Sequence, residues 1–127
     1  MAAIHSKNTR PEMIVRKLVH SMGFRYRLHR ADLPGKPDLV FPSKRKLIFV
    51  HGCFWHQHGC KSAHLPKSNM DYWLPKLDRN RSRDAEHIKV LREANWKCLI
   101  LWECELKKLD VLKSRIIEFL TDKNIHE

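Results

Sequence analysis

The chain has 127 residues, 43% of them hydrophobic, which fits one compact domain and excludes a disordered protein. Lysine and arginine number 25 against 14 aspartate and glutamate residues, so the formal net charge is +11. An excess this large indicates an acidic partner, either nucleic acid or an anionic membrane surface. The sequence contains no apolar run that could span a bilayer and no signal-peptide core at its N-terminus, so we expect a cytoplasmic protein.

The first predicted element is a helix. Thr9 can cap it, Pro11 suits its first turn, and Glu12 occupies the capping-box position. Apolar residues then recur at helical spacing until Gly23, which is typical of a helix end. The predicted inward positions are Ile14, Val15, Leu18, Val19 and Met22.

Four strands are predicted, over residues 24–29, 39–41, 46–50 and 96–102. The first alternates apolar and basic residues, as a half-buried strand does. A turn-rich segment over 33–38 precedes the second, and a hairpin turn over 42–45 separates the second from the third. The third is apolar throughout, which favours a central place in the sheet.

Two further helices are predicted, over 71–94 and 111–120. The buried face of the first is assigned to Ile88, Leu91 and the flanking Val90, and that of the second to Ile116, Ile117 and Leu120. The order α-β-β-β-α-β-α predicts an α/β fold, a single mixed sheet flanked by helices, in one domain over 1–127.

A cluster of thiols and imidazoles within eight residues suits tetrahedral zinc, and its members are Cys53, His56, His58 and Cys60. Cys104, just past the last strand, is an alternative source of the fourth ligand. Cys98 lies within that strand and is expected in the core. The alternative interpretations of the cluster are a catalytic thiol or a loop without a ligand.

A carboxylate at the head of a strand can hold Mg²⁺, and Asp38 has this position before strand 39–41. An aspartate here also commonly caps a turn. His51 ends the next strand, and a histidine near an aspartate can accept a proton from a water that attacks phosphate. Asp84, on the long helix, can orient such a histidine, or it is simply a solvated helix residue.

Aromatic residues in loop or helix-start segments are exposed unless a partner covers them, and the relevant ones are Phe54, Trp55, Tyr72 and Trp73. Amid so much positive charge they suit stacking against bases. Packing around the zinc loop is the alternative.

Taken together, three segments resemble the very-short-patch-repair (Vsr-type) DNA mismatch endonucleases: residues 33–38 (LPGKPD), 51–60 (HGCFWHQHGC) and 102–104 (WEC). The resemblance runs in order from about Met1 to Leu106. It implies a fold similar to the PD-(D/E)XK and restriction endonucleases, with a structural zinc loop. It also implies nicking of one strand beside the thymine of a T:G mismatch.

Carried over by position, the resemblance implies catalytic roles for Asp38, His51, His56, Asp84 and Glu12. Asp38 and the backbone carbonyl of Val50 would hold Mg²⁺, and His56 would be the general base with Asp84 behind it. The implied ligands of a structural Zn²⁺ are Cys53, His58, Cys60 and Cys104. The implied DNA-intercalating residues are Phe54, Trp55 and Trp73.

Three departures from the family pattern stand out. Val50 and Gln57 replace a threonine and a histidine, and the N-terminal arm is shorter. The acid-x-lysine pattern of the wider nuclease group is also absent, with residues 49–51 in its place. The implied partner is duplex DNA with a T:G mismatch, bound by a monomer that mismatch-repair proteins can join. The rival functions are a related nuclease without T:G selectivity, a zinc-stabilised DNA-binding module without catalysis, and an RNA-binding protein.

Overall fold

The computed structural model describes residues 9–28, 30, 32–52 and 69–121. Three α-helices and four β-strands occur in these ranges, in the order α1 (Arg10–Ser21), β1 (Arg27–Leu28), β2 (Leu39–Phe41), β3 (Lys46–His51), α2 (Met70–Glu93), β4 (Lys97–Trp102) and α3 (Leu109–Thr121). Short 3₁₀ turns over Pro42–Lys44 and Glu103–Lys107 follow β2 and β4. The predicted order of elements is confirmed.

The strands form one mixed sheet in the order β1-β2-β3-β4. The β1–β2 and β2–β3 pairs are antiparallel, whereas β3 and β4 are parallel and connected through α2. The apolar strand β3 is central, as predicted. Because α2 joins the end of β3 to the start of its parallel neighbour, α2 runs back across the sheet in the opposite direction.

The first predicted strand, over 24–29, was too long. Within the described part of that range, only Arg27 and Leu28 pair with β2. Phe24 and Tyr26 instead pack, half-buried, against the hydrophobic core.

Helices cover both faces of the sheet. On one face, α1 contributes Val15 and Val19, and α3 contributes a stripe of residues spaced four apart: Leu112, Ile116 and Leu120. On the other face, α2 packs Ile88 and Leu91 against the sheet. This layered arrangement confirms the predicted fold class, a single mixed sheet flanked by helices.

Two predicted inward positions were wrong. Val90 is 39% exposed and Ile117 is 37% exposed. Each adjoins a buried residue, Leu91 or Ile116, and one residue along an α-helix turns a side chain by about 100°. Leu112, which was not predicted, takes the place of Ile117 in the core.

The start of α1 follows the prediction closely. The hydroxyl of Thr9 accepts a hydrogen bond from the backbone N–H of Glu12 at 3.4 Å. The helix ends before Gly23, whose φ of +88° is the left-handed conformation that glycine adopts without strain. No helix in the described ranges is long and apolar enough to cross a membrane.

Candidate active site at the edge of the sheet

The candidate site lies where β3 extends beyond the start of β2. Leu39, the first residue of β2, pairs with Ile48, so the last residues of β3 continue past this strand. The backbone N–H of Asp38 donates to the carbonyl of Ile48 at 3.1 Å. The backbone N–H of Val50 in turn donates to Oδ2 of Asp38 at 2.7 Å, so the carboxylate is fixed against the end of β3.

The backbone of Val50 faces this carboxylate. In an antiparallel ladder, the N–H and C=O of one residue face the same neighbouring strand. We therefore expect the carbonyl of Val50 to lie on the same side of β3 as its N–H, which is the side that Asp38 occupies. A carboxylate and a carbonyl oxygen on one side of a strand are ligands of the kind that Mg²⁺ prefers.

The first two turns of α1 bring a second carboxylate and a cation to the same place. Glu12 is only 1% exposed. Its Oε2 accepts a 2.6 Å hydrogen bond and ion pair from a terminal guanidinium nitrogen of Arg16, one helical turn further on. Both side chains act electrostatically on Asp38. The described site therefore contains two carboxylates and one guanidinium.

The environment of Asp38 disfavours its charge when no metal is bound. The pKa of this carboxyl group is raised from 3.8 to about 7, chiefly by burial and to a lesser extent by the negative charge of Glu12. The hydrogen bond from Val50 and the positive charge of Arg16 act in the opposite direction and lower the pKa. A divalent cation would stabilise the ionised form, so the chemistry of these residues fits a metal site.

His51 ends β3 at the same edge of the sheet. It follows Val50 directly, and its ring packs against Phe49, with centroids 5.6 Å apart, and against Trp102, at 5.4 Å. Trp102 is its register partner at the end of β4. Asp38, which directly precedes β2, and His51, which ends β3, thus lie at the same edge of the sheet.

Helix α2 approaches this edge from the other face of the sheet. A Cβ added at Gly35, in the turn before Asp38, would lie 3.1 Å from Cβ of His87 and 3.3 Å from the ring of Phe49. Gly35 also has a φ of +77°. Asp84 is half-buried one turn before His87, on the same side of α2. Its predicted role in orienting a histidine stays a prediction.

Several predicted site residues lie outside the described residues, namely Cys53, Phe54, Trp55, His56, His58 and Cys60. Cys104 is half-buried in the 3₁₀ turn after β4, and Cys98 is half-buried within β4, against the α2 face of the sheet. Across residues 9–28, 30, 32–52 and 69–121, no group of three or more His, Cys, Asp or Glu side chains is close enough to bind a metal ion. Three of the four predicted zinc ligands fall outside these ranges.

Trp73 is half-buried in the first turn of α2. Its ring makes an edge-to-face contact with Tyr72, with centroids 5.1 Å apart, and Tyr72 is 57% exposed. This pair is an aromatic surface on a helix rather than in a loop. Its role in DNA binding stays a prediction.

Arg16 is the site residue that the sequence analysis missed. A glutamate and an arginine four residues apart on a predicted helix were a usable signal. The two also share the stripe of α1 that carries Val15 and Val19, since positions 12, 15, 16 and 19 fall on one side of a helix. On this stripe Glu12 is buried and Arg16 is half-buried.

Two surface grooves lie away from this cluster. One, of about 540 Å³, is between the end of α1 and the β2–β3 turn, and its lining includes His20, Phe24, Arg25, Tyr26 and Arg27. The other, of about 510 Å³, is between α2 and β4. The lining of each lacks the predicted catalytic residues, so the candidate site is the sheet edge and not one of these grooves.

Comparison with known structures identifies the class of fold. The catalytic domain of the homing endonuclease I-Bth0305I superimposes with a TM-score of 0.61, covering 88% of this chain and 94% of that domain at 20% sequence identity. The mixed sheet with helices on both faces is thus the fold of an endonuclease catalytic domain.

Sequence comparison then identifies the family. The family described as "DNA mismatch endonuclease Vsr" matches residues 1–62. The chain is 38% identical to the DNA mismatch endonuclease Vsr of Escherichia coli, over 97% of this chain and 77% of that protein. It is 53% identical to the type II nicking enzyme V.XorIIP of Xanthomonas oryzae pv. oryzae, over 94% and 88% of the two chains. The chain belongs to the Vsr DNA mismatch endonuclease family and is a nuclease, which confirms the predicted resemblance.

Proposed function

We propose that this protein nicks one strand of duplex DNA at a T:G mismatch, with Mg²⁺ as its catalytic ion. The observation that carries the catalytic part is the half-buried carboxylate of Asp38, which accepts a hydrogen bond from Val50 and lies within the electrostatic reach of Glu12 at the edge of the sheet. The names of the relatives support the DNA substrate, since they describe a mismatch endonuclease and nicking enzymes.

The proposed site residues have distinct roles in phosphodiester hydrolysis. Asp38 and the carbonyl of Val50 would hold Mg²⁺, with Glu12 beside them. The bound ion would supply Lewis-acid stabilisation of the charge that develops on the leaving oxygen. His56 accepts a proton from the attacking water, Asp84 orients that imidazole, and His51 binds at the scissile phosphate. The products are a 5′-phosphate and a 3′-hydroxyl.

Mismatch selectivity comes from aromatic side chains that enter the base stack. Trp73, at the start of α2, acts together with Phe54 and Trp55. Unstacking a mismatched step costs less than unstacking a matched one, so intercalation favours the mismatch. Each base–aromatic stack contributes about 1–3 kcal/mol.

Cys53, His58, Cys60 and Cys104 would hold a structural Zn²⁺, which would stabilise the segment between β3 and α2. A zinc ion with four protein ligands has no open position for a water, so this ion has no catalytic role. Its contribution to folding is on the order of 10 kcal/mol.

Strand-resolved nicking of a synthetic duplex tests the proposal. We expect a single cut in the thymine strand of a T:G duplex with Mg²⁺ present, none without it, and none in the matched T:A duplex. Asp38→Ala should abolish the cut but retain binding to the T:G duplex. Asp110→Ala, which removes an exposed carboxylate from α3, is the matched control and should cut normally.

Two results would redirect the assignment. Equal cutting of matched and mismatched duplexes would favour a related nuclease without T:G selectivity, an alternative that the type II nicking relatives also support. Salt-sensitive binding with no product in Mg²⁺ would instead indicate a non-catalytic DNA-binding module.

A further inference from the structure

Arg16 is a half-buried cation inside an otherwise acidic site. Its side chain is 13% exposed, and that of its partner Glu12 is 2% exposed. The pair is therefore largely shielded from solvent. An ion pair that is exposed on a helix would contribute little to stability. The positive charge of Arg16 also reaches Asp38.

Capping and packing fix the part of α1 that carries Glu12 and Arg16. Thr9 caps the helix through the N–H of Glu12, and Val15 and Val19 on either side of Arg16 are fully buried against the sheet. Val50 packs partly against the same core cluster. Arg16 therefore lies on a well-packed part of α1, which contacts β3. The N–H that binds Asp38 belongs to Val50 in that strand.

The charges of the cluster match the proposed reaction. Two carboxylates close together disfavour each other's ionisation, and a nearby cation relieves this. Glu12, Asp38 and Arg16 together carry one net negative charge. One divalent cation and one phosphodiester group would bring the total to zero. Without Arg16 the same assembly would retain a negative charge where a DNA phosphate must bind.

We propose that Arg16 is a positioning residue of the nuclease site, which holds the Glu12 carboxylate beside Asp38 and offsets one of the two negative charges there. The inference rests on the proposed phosphodiester hydrolysis. Arg16 acts through Glu12 and Asp38, and it touches neither the DNA nor the attacking water.

Three variants test this role. Arg16→Met removes the charge but keeps an apolar stem, and Arg16→Lys keeps the charge but loses the planar fork. Lys17→Met is the matched control, because Lys17 is the exposed neighbour on α1. Steady-state nicking of the T:G duplex is measured well below each melting temperature, and duplex binding is measured without added Mg²⁺.

We expect Arg16→Met to lower kcat by about 10–100-fold, as is usual for residues that orient ligands of a metal site, with KM and duplex affinity nearly unchanged. Arg16→Lys should recover most of that loss, and Lys17→Met should behave as the wild type. A merely structural ion pair would lower the melting temperature and leave kcat intact, which would overturn the inference. A rise in KM alone would do so too, because it would make Arg16 a DNA contact.

A double variant asks whether Arg16 acts through Glu12. Glu12→Gln/Arg16→Met should nick no more slowly than Glu12→Gln alone, because the two residues work as a unit. Losses that multiply would overturn the inference. This double variant buries no unpaired charge. It therefore still tests the role of Arg16 if Arg16→Met alone does not fold. Absence of nicking by the wild type would defeat the proposed function, whereas nicking by the Arg16 variants at the wild-type rate would defeat only the role of Arg16.

Discussion

The backbone N–H of Val50 lies 2.7 Å from Oδ2 of Asp38, and this hydrogen bond joins the head of β2 to the end of β3. The contact uses only the backbone of residue 50, whose side chain packs towards the core formed by α1 and α3. Val50 therefore makes this contact without needing a hydroxyl group in its side chain. The proposed metal contact, a backbone carbonyl, is equally independent of the side chain.

The ionisation of Asp38 should destabilise the metal-free protein at neutral pH. Its folded pKa is about 7, above the ordinary 3.8, so its contribution to stability is fully present below about pH 4. That contribution is lost as the pH rises through about 7. The difference between the two pKa values corresponds to up to about 4 kcal/mol. Asp38→Asn should thus match the wild type near pH 4 and exceed its stability above about pH 7, while it loses nicking.

Denaturant unfolding of both proteins across this pH range, without added Mg²⁺, provides the measurement. Groups other than residue 38 titrate in both proteins, so their effects cancel in the difference. A stability difference that stays constant with pH would mean that Asp38 is ionised normally in the folded protein.

The same pKa predicts how Mg²⁺ affinity depends on pH. Below about pH 7 a proton must leave Asp38 before the ion can bind, so the half-saturating Mg²⁺ concentration should fall about tenfold per pH unit. Above this pH it should level off. Mg²⁺ titrations of single-turnover nicking at several pH values measure the dependence. A half-saturating concentration that does not change below about pH 7 would contradict the assignment of Asp38 as a ligand.

Gly35 should be less tolerant of substitution than Gly23, although both have positive φ. Alanine at either position incurs the left-handed backbone penalty of about 1–2 kcal/mol. At Gly23 the added Cβ would meet nothing within 4 Å, but at Gly35 it would press on His87 and Phe49. We expect Gly35→Ala to cost about 1–3 kcal/mol more than Gly23→Ala.

Nicking rates should separate these two glycine variants as well. Gly35 lies in the turn that sets the position of Asp38, and small displacements of a catalytic group have large effects on rate. Gly35→Ala should therefore lower kcat, while Gly23→Ala, at the far end of α1, should not. Equal rates at a temperature where both are folded would show that the turn adjusts without moving Asp38.

Local signals were sufficient for most of the fold. The bounds of β2 were predicted correctly because turn residues flank it on both sides, and the central place of β3 followed from its apolar run. The extent of β1 was not predictable from its alternating pattern, because Phe24 and Tyr26 pack against the core without pairing with β2. Ile117 was misplaced because two adjacent isoleucines leave the phase of a helix ambiguous, and only packing resolves it.

The part of the candidate site that lies at strand ends was predictable from the sequence. Asp38 and His51 were found because one precedes a strand and the other ends the next, and antiparallel pairing brings such positions to one edge. Arg16 was missed because an arginine on a predicted helix is usually solvated. The packing of its helix face against the sheet, which leaves the side chain of Arg16 13% exposed, is a tertiary property that the local sequence does not show.

Two cysteines, one within β4 and one in the 3₁₀ turn that follows it, allow a matched test of the zinc site. Cys104 is the one predicted zinc ligand in the described part of the chain, whereas Cys98 lies within the strand, where burial raises the pKa of its thiol despite the nearby Arg92. A thiol must lose its proton to bind zinc, so a raised pKa disfavours Cys98 as a ligand. Cys104→Ser should release zinc and lower the melting temperature, and Cys98→Ser should retain the metal. Zinc content by atomic emission, with melting curves of both variants, decides the point, since equal zinc content would remove Cys104 from the ligand set.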